Sequence, residues 1–192
     1  MATKTQLRQQ LRQIVRQMTA EERQRQSNQI ADQVIQSSVF RRARNIGLYV
    51  SREELEVETR RIFEKSFDSE KSVFIPKCSE NRKMIFLKVF SITDVLTLPK
   101  NKWKIREPED DSKRPEVQSV GGLDLLIVPG VAFAMNGSRL GNGGGFYDTY
   151  LSEVGVDGRR AVVVGVAFKQ QMVESVFNQI HDKKVDFVFH VK

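Results

Sequence analysis

The sequence predicts an α/β fold. We expect one domain over residues 1–192, with a central mostly parallel or mixed sheet between helical layers and basic N-terminal helices packed on it. Three observations predict it. Short apolar runs at Ile46–Val50, Val73–Ile75, Leu123–Val128 and Ala161–Phe168 are interleaved with segments of helical periodicity. Leu123–Val128 and Ala161–Phe168 are almost continuously apolar, as strands covered on both faces are. The chain has 192 residues, 40% hydrophobic and 29% charged, which fits one globular domain and supplies no stretch near the ~18–20 apolar residues of a membrane span.

The elements follow in order. Leu7, Leu11, Ile14 or Val15, and Met18 recur at three or four residues and mark a helical apolar face. Lys4, Arg8, Arg12 and Arg16 fall at i, i+4 and form a cationic stripe on that helix. Thr19 to Glu22 reads as a capping box opening a second helix, buried through Ile30, Val34 and Ile35, with Val39 and Phe40 packing under it. A strand at Ile46–Val50 leads to a helix at Glu58–Phe67. Strands follow at Val73–Ile75, ended by Pro76, and at Met84–Phe90. Pro99 to Val117 is polar, holds Pro108, Pro115 and the acidic run Glu107–Asp111, and is expected to be a long surface loop carrying the single tryptophan, Trp103. Leu123–Val128 is a buried strand. The glycine-rich segment 137–145 then opens a short helix at Phe146, and strands at Ala161–Phe168 and Val185–Val191 complete the chain.

Net charge is +7, and nine basic against three acidic residues through Arg44 carry nearly all of it. Such an arm suits a polyanion or a multiply charged small ligand, or is simply a solvated helix face. Residues 1–18 hold no acid and could be read as a transit peptide, but their lack of a long apolar core excludes a secretory signal. One cysteine, Cys78, excludes an internal disulfide and thiolate zinc clusters. The two histidines, His181 and His190, make a His-rich metal site or a Ser-His-Asp triad an unsuitable reading.

The strongest local signal runs from Leu123–Val128 through Pro129-Gly130 to Gly141-Asn142-Gly143-Gly144-Gly145-Phe146. A buried strand enters a loop almost devoid of Cβ atoms, which turns into a helix. The exposed backbone amides and the helix start make an anion site. Arg139 can add a charge-assisted contact, and Asp148 is a candidate magnesium ligand. The pattern is neither a Walker A loop, since no Gly-Lys-Ser/Thr follows, nor a dinucleotide fingerprint, since its last interval is wrong.

Pro129-Gly130-Val131-Ala132-Phe133, followed by Gly137-x-Arg139-Leu140-Gly141-x-Gly143-Gly144-Gly145-Phe146-Tyr147-Asp148, resembles the signature of the 5-formyltetrahydrofolate cyclo-ligases, also called 5,10-methenyltetrahydrofolate synthetases. The resemblance extends to Lys4-x-x-Leu7-Arg8, Glu56-Val57-Glu58-Thr59, the Trp103 loop and Lys184-Val185-Asp186. It implies a ligase that uses ATP and magnesium to close 5-formyltetrahydrofolate to 5,10-methenyltetrahydrofolate, releasing ADP and phosphate through a phosphorylated formyl group. Lys4, Arg8, Arg139, Leu140, Gly141, Asn142, Gly143, Gly144, Gly145, Phe146 and Tyr147 would then bind ATP, with Arg139 and Tyr147 catalytic and Arg12 an outlying candidate. Val50, Glu56, Trp103 and the loop from Asn142 to Phe146 would bind the folate, Glu56 accepting from the pteridine edge. Asp148 and Asp186 would hold magnesium. Glu58 reads as a helix-start residue instead of a ligand contact.

The resemblance further implies a cytoplasmic enzyme of one-carbon folate metabolism, with a mitochondrial location open. It would be a monomer acting on a possibly polyglutamylated folate, without nucleic-acid or membrane partners. Ala134 stands where the family usually has an aspartate, Phe146 where many members have a tyrosine, and Asn142 where Tyr or Arg is frequent. The competing readings are a catalytically inactive folate- and nucleotide-binding homologue, and a nucleic-acid-binding protein using the basic helices, whose affinity would fall steeply with salt.

Overall fold

The computed structural model describes residues 3–79, 83–109, 113–153, 161–176 and 182–192. Asp110 and Asp111 of the acidic run, and His181, lie outside them. Helix α1 spans Lys4–Gln17 and starts at a full capping box, in which Thr3 accepts from the Gln6 amide and the Gln6 side chain accepts from the Thr3 amide. Helix α2 spans Ala20–Gln36. Thr19 accepts from the Glu22 amide, as expected, but the Glu22 carboxylate is engaged by Arg25 and Gln26 and does not close the box. Helix α3, Ser38–Arg42, buries Phe40.

Six strands form the main sheet in the order β3-β2-β1-β4-β7-β8. They are β1 (Asn45–Leu48), β2 (Ser72–Cys78), β3 (Met84–Val89), β4 (Leu125–Val128), β7 (Val162–Ala167) and β8 (Phe187–His190). All neighbours are parallel except β2 and β3. Helices α4 (Arg60–Asp68) and α5 (Ile92–Thr97), the second not foreseen, join α2 and α3 against one face. Helix α6, Phe146–Glu153, lies on the other. The period-2 alternation sorts the strands between these layers. Ile46, Leu48, Leu125, Ile127, Val164 and Val166 enter the first core, while Leu126, Val128, Val163 and Ala167 enter the second. Burial on both faces is why the sequence there reads as an unbroken apolar run.

Two expectations need correction. Strand β2 does not end at Pro76; it continues to Cys78, with Pro76 opposite Phe86. The β1 pairing covers only Ser72–Phe74, so at Pro76 the strand is an edge on that side and the missing N–H costs no ladder bond there. The segment between β4 and the glycine loop is not loop alone. It holds a small hairpin of β5 (Ala132–Phe133) and β6 (Arg139–Leu140), too short to leave a periodic signal. Helix α1 packs through Leu11 on this hairpin, against Val131, Ala132, Ala134 and Leu140, and not simply on the sheet. The basic helix is thereby laid over the loop that follows.

Candidate active site

The chain leaves β1 and β4 in opposite directions across the sheet, β1 connecting to β2 and β4 to β7. The crevice beyond the carboxyl ends of such a pair is where open α/β sheets bind ligands. Both predicted halves of the site fall there. One is the segment after β1, from Tyr49 to Thr59. The other is the hairpin and glycine loop after β4.

The first half is pinned from within. Tyr49 donates its hydroxyl to the Val57 carbonyl at 2.7 Å, and Thr59 returns a bond to the Tyr49 carbonyl at 2.9 Å. Burial pushes the Tyr49 phenol well above its ordinary pKa, so it remains a neutral donor. Glu56 is buried, and Arg52 holds it: Arg52 Nη2 reaches Oε1 at 2.8 Å and the Arg52 amide reaches Oε2 at 2.9 Å. Glu58 precedes the helix and gives its amide to the Ser27 hydroxyl. Val50 and Trp103 line an open cleft of about 690 Å³ beside this segment, walled also by Arg16, Arg60, Lys100 and Arg106. The Trp103 ring meets Phe146 edge-on at 6.3 Å and so links the cleft to the glycine loop.

Arg139 centres the second half. Its side chain is 3% exposed, with Nη1 on the Pro129 carbonyl at 3.3 Å and Nη2 on Asp148 Oδ1 at 3.1 Å. Its Nε is buried and has no partner among the described residues. A buried donor without an acceptor is costly, and it marks where an oxyanion would be welcome. Tyr147 lies under the guanidinium, 5.5 Å from ring centre to Cζ. Burial pushes the Tyr147 phenol far above its usual value, with Cys78 and Glu56 adding to the effect, so it cannot act as a base near neutral pH. Leu140 is buried in the hairpin core, and its side chain faces α1 instead of the crevice.

The cationic stripe of α1 runs along this half. Lys4 pairs with Asp182 at 2.6 Å, Arg8 Nε donates to the Gly141 carbonyl at 2.8 Å, and Arg12 Nη2 donates to Asn142 Oδ1 at 3.0 Å. Burial and the neighbouring Arg52, Arg8 and Arg16 charges hold the Arg12 pKa below its ordinary value. Gly143 sits at φ +106°, and a Cβ there would lie 3.8 Å from the Arg8 guanidinium carbon. The contact itself is an ordinary one, so it is the left-handed backbone that calls for glycine here.

Asp186 Oδ2 accepts from the Val163 amide at 2.7 Å, at the leading end of β7. Asp148 Oδ1 instead receives the Lys183 amide at 3.0 Å, which places Asp182, one residue away, on its side of the fold. Asp182, which the sequence reading does not single out, thereby becomes a further candidate carboxylate beside Asp186. Asp148 Oδ2 takes no partner among the described residues. Among these residues no three His, Cys, Asp or Glu side chains gather for a metal. Magnesium commonly takes one or two carboxylates and completes its shell with phosphates and water, so this donor set fits it.

Arg52 was the other omission. Its i, i+4 spacing to Glu56 was visible, but such spacing signals contact only in a helix, and this segment is a turn. Ala134 is buried among Leu11, Val131, Ala132 and Leu140, so the position lies in the hairpin core and not in the crevice.

A sheet switch point flanked by an arginine-held glycine loop on one side and a buried carboxylate on the other is the arrangement of an α/β enzyme suited to a polyanion beside a second, hydrogen-bonding ligand. The family model described as the 5-formyltetrahydrofolate cyclo-ligase family matches residues 1–191, and the chain belongs to that family. A mouse 5-formyltetrahydrofolate cyclo-ligase is 36% identical over 191 residues, covering 98% of this chain and 94% of the relative. The solved 5,10-methenyltetrahydrofolate synthetase of Aquifex aeolicus superposes with a TM-score of 0.78 at 27% identity, over 97% of this chain and 89% of that one. That of Mycoplasma pneumoniae gives 0.74 at 20% identity over 98% of both chains, a likeness of fold. No described helix is long and apolar enough to cross a membrane.

Proposed function

We propose that this chain closes 5-formyltetrahydrofolate to 5,10-methenyltetrahydrofolate at the expense of ATP. The observation that carries the reading is the buried Arg139, with one donor lacking an acceptor, set behind a glycine loop that faces Glu56 through Asn142. The γ-phosphoryl group passes to the formyl oxygen, breaking its bond to the ADP oxygen. The carbon so activated is attacked by N10, which gives up its proton, and phosphate leaves with the former formyl oxygen. Such a sequence needs alignment and charge neutralisation more than a nucleophilic side chain. Arg139 and Arg8 flank the loop that would carry the phosphates, and Tyr147, held neutral, fixes the Arg139 plane. Glu56 offers oxygen acceptors to the amino and N–H edge of the pteridine.

Asp148 and Asp182 are the carboxylates that would hold magnesium, which when bound neutralises phosphate charge. Val50, Trp103 and Phe146 supply apolar walls. Lys100 and Arg106 on the cleft wall suit the carboxylates of a glutamyl tail, single or extended. A cytoplasmic monomer remains our working assignment. The nucleic-acid reading loses support because Lys4, Arg8 and Arg12 are turned onto Asp182, Gly141 and Asn142. The inactive-homologue reading loses its motive because Ala134 lies in the hairpin core.

The test is the absorbance of the methenyl product with purified protein, 5-formyltetrahydrofolate and MgATP, each omitted in turn. A signal that requires all three is expected; binding of both ligands without any signal would establish the inactive homologue instead.

A further inference from the structure

One side chain touches both halves of the site. Asn142 Oδ1 accepts from Arg12 Nη2 at 3.0 Å, the Asn142 carbonyl accepts from the same nitrogen at 3.4 Å, and Asn142 Nδ2 donates to Glu56 Oε1 at 3.4 Å. The orientation of the amide is forced, because a guanidinium only donates and a carboxylate only accepts. Glu56 is in turn clasped by Arg52 through Oε1 and Oε2. The chain Arg12–Asn142–Glu56–Arg52 therefore joins α1, the glycine loop and the segment after β1, beside the Arg8–Gly141 bond that also ties α1 to the loop. Its longest links, at 3.4 Å, both involve Asn142, and such bonds shorten when a site closes on its ligands. Arg12 Nε is buried without a partner among the described residues, so the arginine has a donor in reserve for a tighter arrangement.

We infer that Arg12 and Asn142 are positioning residues that couple occupancy of the glycine loop to the set of Glu56. This rests on the nucleotide and folate assignments above. A nucleotide that orders the loop fixes the Asn142 amide, and the amide aims the carboxylate that receives the pteridine edge. Each ligand then binds more tightly when the other is present, by the same factor in both directions.

Calorimetry with 5-formyltetrahydrofolate, in the absence and presence of a non-hydrolysable ATP analogue and magnesium, tests this on the full chain. Folate affinity is expected to rise about 5–150-fold with the analogue. In Asn142→Asp, which keeps the acceptor for Arg12 but turns a repelling oxygen to Glu56, the factor is expected to fall to within about twofold of one. Arg12→Lys, which keeps the charge and loses the planar fork, reads the same link from its other end. A merely structural role would weaken each ligand alone and leave the factor unchanged in both variants, and that result would overturn the inference, as would a factor of one in the unmodified chain. Failure of the unmodified chain to bind either ligand at all would instead overturn the assignment beneath it, and the coupling with it.

Discussion

The two ends of the sheet use the same residue type for different purposes. At the leading end, Asp124 stands just before β4 and Asp186 just before β8. Each donates its amide to a carbonyl of the neighbouring strand's first residues, Asn45 and Val163, and accepts that same residue's amide on Oδ2, at 2.9 and 2.7 Å. They set where a neighbouring strand begins. At the other end, Glu56 and Asp148 face arginine side chains, Arg52 and Arg139. Glu56 and Asp148 also accept a backbone amide each, from Arg52 and Lys183, but neither amide belongs to the sheet ladder, and a carboxylate held by a long cation can share that cation with an anionic ligand. On this contrast Asp186 serves strand register through Val163, and Asp148 and Asp182 are the carboxylates we propose for magnesium.

The sharpest way to break this comparison is at Arg139. Replacing it by Met keeps most of its apolar stem and removes the donors. Turnover is expected to fall about 10²- to 10³-fold, as loss of a preorganised donor at developing charge does. Steady-state rates from methenyl absorbance check it, and a loss under tenfold would remove Arg139 from the reacting centre. The paired aspartates come next. Asp148→Ala and Asp182→Ala are expected to raise the magnesium concentration needed for half-maximal turnover. Asp186→Ala is expected to leave that titration unchanged and to cost about 1–3 kcal/mol in denaturant unfolding, since the Val163 amide loses its carboxylate. A magnesium shift in Asp186→Ala would restore it as a ligand and dissolve the distinction between the two ends.

Glycines divide in the same manner. Gly137 has φ +82°, and a Cβ there would lie 2.3 Å from the Val185 carbonyl oxygen. Gly145 has φ +73° with nothing within 4 Å. Both pay the left-handed strain of about 1–2 kcal/mol on substitution by alanine, but only Gly137→Ala also forces the backbone apart. Thermal unfolding should therefore show a larger drop for Gly137→Ala. Activity per folded molecule should fall mainly in Gly145→Ala, which narrows the open space where we propose the phosphates lie. Equal effects on both measures would mean that the loop is structural throughout.

Much of this was legible beforehand. Strands covered on both faces announce themselves as apolar runs, and the glycine loop, Arg8 and Glu56 were readable as candidate chemistry that the fold brings to one crevice. What was not legible depended on pairing across the fold. Pro76 is tolerated because β1 stops short of it, a fact of register and not of local sequence. The β5–β6 hairpin has two residues per strand, too few for any periodicity. Asp182 gained its place from a single amide, Lys183, landing on Asp148. Arg52 gained its place from a turn that no spacing rule describes.

The smallest expected effect lies at an ion pair on α5 that is not part of the cleft lining, and it serves as a control. Arg114 grips Asp94 through both oxygens, at 2.6 and 2.7 Å, with the side chains 18% and 19% exposed. The Arg114 bonds hold the Asp94 carboxyl below its ordinary value, against the opposing effect of burial. A carboxylate whose folded pKa is depressed contributes stability that is present above the usual aspartate range and lost as pH falls through the folded value. Asp94→Asn should therefore cost about 1 kcal/mol near neutral pH, and the gap to the unmodified chain should close as the solution is acidified below about pH 4. Chemical denaturation at several pH values checks this. Turnover and its magnesium dependence should not move, because this carboxylate is engaged by Arg114 and the Phe90 amide outside the cleft lining; a change in either would show that the pair reaches the reaction through α5.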